Sequence, residues 1–293
     1  MSHYYLVHGL IVESAIALPD LSRAARAMAD VMVIVDPPLT DFADTSDPIE
    51  DGFAAFTVEG VARYEICEGR CIRVQPMVGA DMREVRLFLL GSAMGLLLHQ
   101  RGLFALHAAA GVFEGGAVVI TGPSGAGKST LARALEAHGI PVLSDDLLVV
   151  REQAGHVTVD RAVRRIRLCP DAILAHGEEA EAFPLSYAPE KDRPKHDVPL
   201  RDAPPSAPLV AVVELAEGPS SLERLQGAEA VECLMTNSFR GTMLSVGRQR
   251  SDHFRSCLFI ALHCAVYRLS RPKNFSSMTD VVEQLADLAA RPR

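Results

Sequence analysis

The chain lacks an excess of positive charge. It carries 29 lysine and arginine residues against 37 aspartate and glutamate residues, which gives a formal net charge of −8. Proteins bind nucleic acids and anionic membrane surfaces mainly through clustered positive charge. The composition therefore speaks against both kinds of partner, and we expect neither nucleic acid nor membrane among the partners of this protein.

Cysteine is sparse and forms no metal-binding pattern. The six cysteines are scattered, and Cys67 and Cys71 have no second cysteine or histidine pair that would complete a zinc set. We interpret all six as reduced thiols of a cytosolic protein.

The sequence also lacks an apolar segment long enough to cross a membrane. The most apolar stretch, residues 87–111, is interrupted by the polar residues His99, Gln100 and Arg101. The part before the interruption has about 12 residues, whereas a membrane-spanning helix needs about 20. No basic segment followed by an apolar run opens the chain, as it would in a signal peptide. We therefore predict a buried helix here and a cytoplasmic location.

The remaining composition is that of a folded α/β protein. Hydrophobic residues make up 48% of the chain and charged residues 23%. Residues 1–80 contain short apolar runs between turn-forming segments, which predict a small, mostly β N-terminal domain suited to substrate recognition. Residues 81–293 alternate helical and strand patterns and form a predicted second domain. In this domain we predict helices at 81–101 and 251–270, an amphipathic helix at the end of the chain, and one strand each in the segments IPVLSDDLLVV and LVAVVEL.

The segment GPSGAGKS, residues 122–129, has every fixed position of the phosphate-binding loop motif. An apolar strand pattern precedes it and a helical pattern follows it, as the motif requires. Glycines let backbone N–H groups surround the phosphates, Lys128 can reach the terminal phosphates, and the Ser129 hydroxyl is a ligand type for Mg²⁺. We predict that nucleotide is bound by Gly122, Ser124, Gly125, Ala126, Gly127, Lys128, Ser129 and Thr130.

Two adjacent acids, Asp145 and Asp146, interrupt the apolar segment that follows the helix. If the segment is one strand beside the phosphate-loop strand, the two side chains point to opposite sides and have different roles. One carboxylate can hold Mg²⁺, and the other can accept the proton of an attacking hydroxyl. A turn or helix-capping role is the structural alternative.

The region around the loop resembles the catalytic core of the HPr kinase/phosphorylase family. His107 lies fifteen residues before Gly122, and Asp145 lies seventeen residues after Lys128, and both spacings match that family. The resemblance implies an HPr-kinase-like P-loop fold and an ATP- and Mg²⁺-dependent serine kinase. It implies that Asp145 accepts the substrate proton and that Asp146, with Ser129, supports the metal. His107 and Lys128 would lie beside the reacting phosphate.

A second resemblance concerns both ends of the chain. The segments YYLVHGLIVESAIALPDL and VYRLSRP resemble HPr-kinase-like proteins encoded with lasso-peptide biosynthesis genes. This resemblance implies that the acceptor is the C-terminal serine of a lasso-peptide precursor. The substrate loop characteristic of the bacterial HPr regulators is not found in this sequence.

Phosphoryl transfer needs positive charge around the transferred group in addition to the loop lysine. Arg167 lies between two apolar residues of a predicted strand, whereas the other arginines of RAVRRIRL fit a solvated face. We predict that substrate is contacted by Arg167, Arg193, Lys195 and Arg240.

The acceptor itself stays open at this stage. A peptide or protein serine is our first hypothesis. The alternatives are a small-molecule hydroxyl kinase on the same core and a nucleotide-dependent ATPase or switch without an acceptor. ATP and Mg²⁺ are the expected cofactors in each case, and a homo-oligomer is possible.

Overall fold

The structure is a computed structural model that describes residues 2–39, 49–50, 52–153, 156–186, 194–241, 248–275 and 277–291. Within these ranges no helix is both long enough and apolar enough to span a membrane. The fold is α/β, with two large sheets and helices packed between and around them.

The first sheet is built from the N-terminal part of the chain. Its strands are β1 His3–Val7, β2 Leu10–Ser14, β3 Ser22–Arg23, β4 Val31–Val35, β5 Ile49–Glu50, β6 Phe53–Val58, β7 Ala62–Cys67 and β8 Cys71–Pro76. They lie in the order β3-β1-β2-β4-β8-β7-β6-β5, and β4 is parallel to both of its neighbours. Burial alternates along β2 and β7, so one face of the sheet is covered. The predicted mostly β character of this part of the chain is confirmed.

A continuous helix with a π-helical turn in its middle follows this sheet. The predicted helix at 81–101 consists of α1 Met82–Phe88, a π-helical turn at Leu89–Ala93, and α2 Met94–Gln100. One apolar core joins the first sheet, these helices, and residues Ala105, Leu147 and Val149 of the second sheet. The predicted domain border at residue 80 thus crosses a continuous core, and the division into two domains stays a prediction.

The second sheet carries the phosphate loop. The strands and helices of this part of the chain are β9 Phe104–His107, β10 Ala109–Phe113, β11 Gly116–Thr121, α3 Lys128–Ala137, β12 Val142–Ser144, β13 Leu147–Gln153, β14 His156–Asp160, β15 Arg165–Leu168, α4 Pro170–Leu174, a 3₁₀ turn at Ala180–Ala182, β16 His196–Pro199, β17 Ser206–Glu217, β18 Ser221–Leu225, α5 Ala228–Thr236, α6 Arg248–His263, β19 Ala265–Arg271 and α7 Met278–Ala289. The main path runs β12-β10-β11-β17-β14-β13-β9, and β19 pairs with β17 and β18. Strands β15 and β16 form a separate antiparallel pair.

Strand directions bring the ends of four strands to one edge. Strand β17 is parallel to β11 and to β19, and β12 is antiparallel to β10, which is itself antiparallel to β11. The carboxyl ends of β11, β12, β17 and β19 therefore share one edge of the sheet. The prediction that the acidic pair lies on the strand next to the phosphate-loop strand was wrong, because β10 lies between them.

Two segments predicted as single elements are divided. The segment IPVLSDDLLVV forms β12 and β13, which pair with different strands because the chain bends at Asp145 and Asp146. The predicted helix at 251–270 ends at His263, and the chain continues as β19. The segment AVYRLSR contains β-forming residues and pairs with two strands, so sheet pairing decides its structure.

His8 lies in the turn between β1 and β2, against the second sheet. It is fully buried, its φ is 52°, and neither ring nitrogen has a hydrogen-bond partner among the described residues. Its backbone N–H donates to the Arg161 carbonyl, and its carbonyl accepts a hydrogen bond from Arg151. Burial, followed by the positive charge of Arg151, lowers the pKa of His8 from 6.5 to about 3.

We predict that His8 makes the protein less stable in mild acid. The unfolded chain protonates His8 below about pH 6.5 while the folded protein keeps it neutral, so the free energy of unfolding falls as the pH drops from 6.5 towards 3. At pH 5 this loss is about 2 kcal/mol. His8→Asn removes the titrating group and tolerates the positive φ. Urea unfolding measures the free energy of unfolding at pH 7.5 and at pH 5. The decrease between the two pH values should be smaller in the variant than in the wild type, and equal decreases would contradict the prediction.

Candidate active site

The phosphate loop has the conformation needed to hold an anion. Strand β11 ends at Thr121, the loop turns, and α3 begins at Lys128 with its N-terminus facing the loop. Lys128 is 6% exposed, and its Nζ donates to the carbonyls of Gly122 at 2.7 Å and Pro123 at 3.1 Å. Burial lowers the pKa of Lys128, while the charges of Asp145 and Asp146 oppose that shift. Phosphate oxygens can replace the two carbonyls as acceptors for this ammonium group.

Arg271 supports the loop from the end of β19. It is 4% exposed, its Nη2 donates to the Ala126 carbonyl at 3.2 Å, and its Nη1 donates to the carbonyls of Pro272 and Asn274. Gly127 has φ 95°, and a Cβ there would lie 2.6 Å from Arg271 Nη2. The glycine therefore allows the guanidinium group to lie directly against the loop.

The charge of Arg271 is poorly compensated by the protein. Its Nε is buried without an acceptor, and among the described residues no carboxylate pairs with it. Burial lowers the pKa of Arg271. A bound anion in the loop would supply the missing negative charge. Sequence reasoning missed this residue because it assigned most of this segment to a helix.

Asp145 lies between the loop and β15. Ser129 Oγ donates to Asp145 Oδ1 at 3.0 Å, and the Arg167 backbone N–H donates to Asp145 Oδ2 at 3.3 Å. Asp145 is 7% exposed. Burial raises its pKa, and the neighbouring charge of Asp146 adds to this effect. The buried Asp145 carboxylate therefore contacts the phosphate loop directly, through the Ser129 hydroxyl.

Asp146 has contacts different from those of Asp145, but the cause is a backbone bend and not the strand alternation that we predicted, because the pair lies between β12 and β13. Its φ of 85° bends the backbone. His107 Nε2 lies 3.2 Å from Asp146 Oδ1, and Arg167 Nη2 lies 3.7 Å from Oδ2. Burial raises the pKa of Asp146, but the His107 hydrogen bond and the charges of Arg167 and His107 outweigh it, so the pKa lies below its usual value. About a third of the side chain is exposed, so it can face a ligand.

His107 is held through its backbone as well as its ring. Its N–H donates to the Asn237 carbonyl at 2.9 Å, and its carbonyl accepts from Thr121 Oγ1 at 3.1 Å. Asn237 Nδ2 in turn donates to Glu214 Oε1 at 3.0 Å. Glu214 lies on β17 opposite Thr121 of the phosphate-loop strand β11. Through Asn237, it therefore links this pair of strands to His107. We did not predict this support from the sequence, where Glu214 was only the polar residue of an apolar strand.

The oxygen donors at this edge suit a hard cation. Ser129 contributes a hydroxyl, and Asp145 and Asp146 contribute carboxylates, which are the ligand types that Mg²⁺ takes. Among the described residues, no group of three or more histidine, cysteine or acidic side chains has an arrangement that could hold a metal ion by itself. In nucleotide sites, phosphate and water usually complete the coordination of Mg²⁺.

The predicted substrate residues occupy different places. Arg167 lies at the acidic pair, and Lys195, just before β16, is close enough for its charge to act on Lys128 and Asp146. Arg240 instead donates to Ser92 Oγ at 2.9 Å, away from the acidic pair's hydrogen bonds. Arg193 lies outside the described residues. The roles of all these residues stay predictions.

One of three comparisons with known proteins, a family model, supports a P-loop core. A family model described as an AAA domain matches residues 117–214, about a third of the chain. The solved structure of the Hpr(Ser) kinase/phosphatase from Coxiella burnetii is similar over 63% of this chain and 96% of that chain, with 14% identity and a TM-score of 0.32. No curated protein matches the sequence. The α/β fold with a P-loop core and a β-rich N-terminal part is confirmed, and the function proposed below depends on the residues of the site.

We predict that Arg271→Lys weakens nucleotide binding about tenfold. Lysine keeps the charge but has one nitrogen, which cannot span the acceptors that Arg271 reaches through Nη1 and Nη2, so the Ala126 carbonyl loses its charged donor. Titration of a fluorescent ATP analogue measures the dissociation constant. Arg224→Lys, an exposed position on β18, is the matched control and should leave the constant unchanged. An unchanged constant in Arg271→Lys would show that Arg271 does not support the loop.

Proposed function

We propose that this protein is an ATP-dependent kinase that transfers a phosphoryl group to a serine hydroxyl of a peptide or protein. The observation that carries the proposal is the convergence of the phosphate loop and the acidic pair. Ser129 of the loop contacts Asp145, while Asp146 is held by His107 and Arg167. A nucleotide-binding loop alone needs no second carboxylate and no histidine in this position.

Each residue has a role in this proposal. Lys128 and the loop N–H groups bind the β- and γ-phosphates, and Ser129 and Asp146 hold Mg²⁺, which neutralises developing negative charge when bound. Asp145 accepts the proton of the attacking serine hydroxyl as the new oxygen–phosphorus bond forms and the bond to ADP breaks. Arg167 and Lys195 stabilise charge on the transferred group.

The surroundings of Asp145 and Asp146 support these two different roles. Asp146 is paired with a histidine and an arginine, which favours its ionised form and suits a metal or phosphate role. Asp145 is buried and has no cationic side chain in hydrogen-bond contact among the described residues, so it takes up a proton more readily than Asp146. Two carboxylates with such different surroundings suit one proton acceptor and one permanent anion.

For the acceptor, we propose the C-terminal serine of a lasso-peptide precursor. The support is the sequence resemblance at the two ends of the chain. In the structure the first of these segments forms most of β1, all of β2 and the turn that follows them, and the second comprises the part of β19 that ends at the loop-supporting Arg271, followed by Pro272.

A kinase assay with mass-spectrometric detection tests the proposed reaction. The protein is incubated with Mg²⁺-ATP and a synthetic lasso-type precursor that ends in serine, and a serine-to-alanine peptide is the control. We expect a gain of one phosphate on the serine peptide only. ATP hydrolysis without peptide phosphorylation would contradict the peptide acceptor and favour an ATPase or switch. Phosphorylation of a metabolite panel instead would identify a small-molecule kinase.

We predict that Asp145→Asn lowers turnover at least 100-fold and leaves the nucleotide dissociation constant within about twofold of wild type. Asparagine keeps the hydrogen bond from Ser129 but cannot accept the substrate proton, and general-base catalysis contributes about 10²–10⁴-fold. Asp287→Asn on the exposed face of α7 is the matched control, with turnover unchanged. Equal loss of turnover and nucleotide binding in Asp145→Asn would mean that Asp145 is structural.

A further inference from the structure

A second opening lies where the segment after β2 meets β15. Its volume is about 350 Å³, within the usual range of small-ligand sites. Its lining combines apolar residues with hydrogen-bond donors and includes Tyr5, Leu18, Pro19, Leu21, Arg23 and Arg164. This opening, which we call the β15 cavity, is separate from the phosphate loop.

Three donors at the β15 cavity lack acceptors among the described residues. Arg164 Nε is buried without a partner, and the Nη2 of the same side chain lies 3.7 Å from the highly exposed Asp202. Arg23 is exposed, and its side chain has no partner within the described part of the chain. The Tyr5 hydroxyl accepts the Leu18 N–H at 2.8 Å, while its own proton has no acceptor among the same residues. A group that only accepts hydrogen bonds and carries negative charge satisfies all three, as a carboxylate does.

Strand β15 connects the β15 cavity to the proposed active site. The Arg164 N–H donates to the Asp20 carbonyl at 2.9 Å beside the cavity. Three residues further along, the Arg167 N–H donates to Asp145 Oδ2. At about 3.3 Å per residue the two positions are about 10 Å apart, which an extended peptide covers with three residues.

We propose that the β15 cavity binds an acidic side chain, together with a neighbouring apolar side chain, of the peptide substrate. The acidic residue lies about three residues from the acceptor serine. The carboxylate meets the guanidinium groups of Arg23 and Arg164 and the Tyr5 hydroxyl, and the apolar group packs on Leu18 and Leu21. The inference deepens the proposed kinase function, on which it rests, and specifies the sequence around the serine.

Direct binding of peptides to the full protein tests this assignment. The probes are fluorescein-labelled, C-terminally amidated peptides with one serine and a Glu-Leu pair placed one to six residues away, and matched Gln-Leu peptides. Fluorescence anisotropy should show the glutamate peptide with a spacing of about three residues binding about tenfold tighter than its glutamine partner. Equal affinity for both at every spacing would overturn the proposal.

Three variants locate the binding site. Arg164→Gln and Arg23→Gln should each abolish the glutamate preference, whereas Arg26→Gln, an exposed arginine that does not line the cavity, should retain it. A glutamate preference that survives both cavity variants would place the acid elsewhere and overturn the proposal. Arg23 is exposed, so its variant keeps the test valid even if Arg164→Gln fails to fold.

Two further comparisons distinguish binding of an acidic side chain from binding of a chain terminus, and peptide binding from phosphate transfer. Peptides with a free C-terminal carboxylate and glutamine in place of glutamate should not regain tight binding; if they do, the site binds a chain terminus and the side-chain assignment is wrong. Phosphate transfer is measured on the same peptides. Preferential binding of the glutamate peptide without phosphate transfer supports the assignment of the β15 cavity and contradicts the proposed kinase activity. Phosphate transfer without a glutamate preference supports the kinase activity and contradicts the assignment of the cavity.

Discussion

The backbone bend at Asp145 and Asp146 is the constraint on which the candidate site depends. Strand β12 ends just before the pair, and β13 starts just after it in a different part of the sheet. Asp146 takes a φ of 85°, in the left-handed region that few non-glycine residues adopt and that aspartate tolerates better than most. His107 from β9 and Arg167 from β15 fix the position of the Asp146 carboxylate. The same bend turns one carboxylate towards Ser129 and the other towards the histidine.

The elements that hold this bend belong to different layers of the molecule. Strands β9 and β13 share an apolar core with the N-terminal sheet and with α1 and α2, whereas α3 and β15 pack in the core on the α7 side. Small displacements between these layers would move His107 relative to the phosphate loop. The hydrogen bonds from His107 to Asn237 and from Thr121 to His107 limit such movement. The geometry of the site therefore depends on packing across the whole chain.

Much of this arrangement could be predicted from the sequence, because its signals are local. The phosphate loop and the helix after it follow from the glycine positions and the helical pattern, whereas the two aspartates differ in their contacts because of a bend that strand alternation does not predict. Strand order could not be predicted in this way, since the insertion of β10 between β11 and β12 depends on tertiary pairing. Glu214 was missed for the same reason, and Arg271 was missed for this reason as well as because most of β19 was predicted as helix. Each acts through a partner far away in sequence, Ala126 and Asn237 respectively, and no local pattern indicates those contacts.

The central claim is that the phosphate loop and the acidic pair form one phosphoryl-transfer site. A crystal structure with Mg²⁺ and a non-hydrolysable ATP analogue tests it most directly. We expect that Lys128 Nζ leaves the carbonyls of Gly122 and Pro123 for phosphate oxygens, and that the γ-phosphate lies within reach of both Asp145 and Asp146. A γ-phosphate directed away from both carboxylates, or a loop that binds no nucleotide, would contradict the claim.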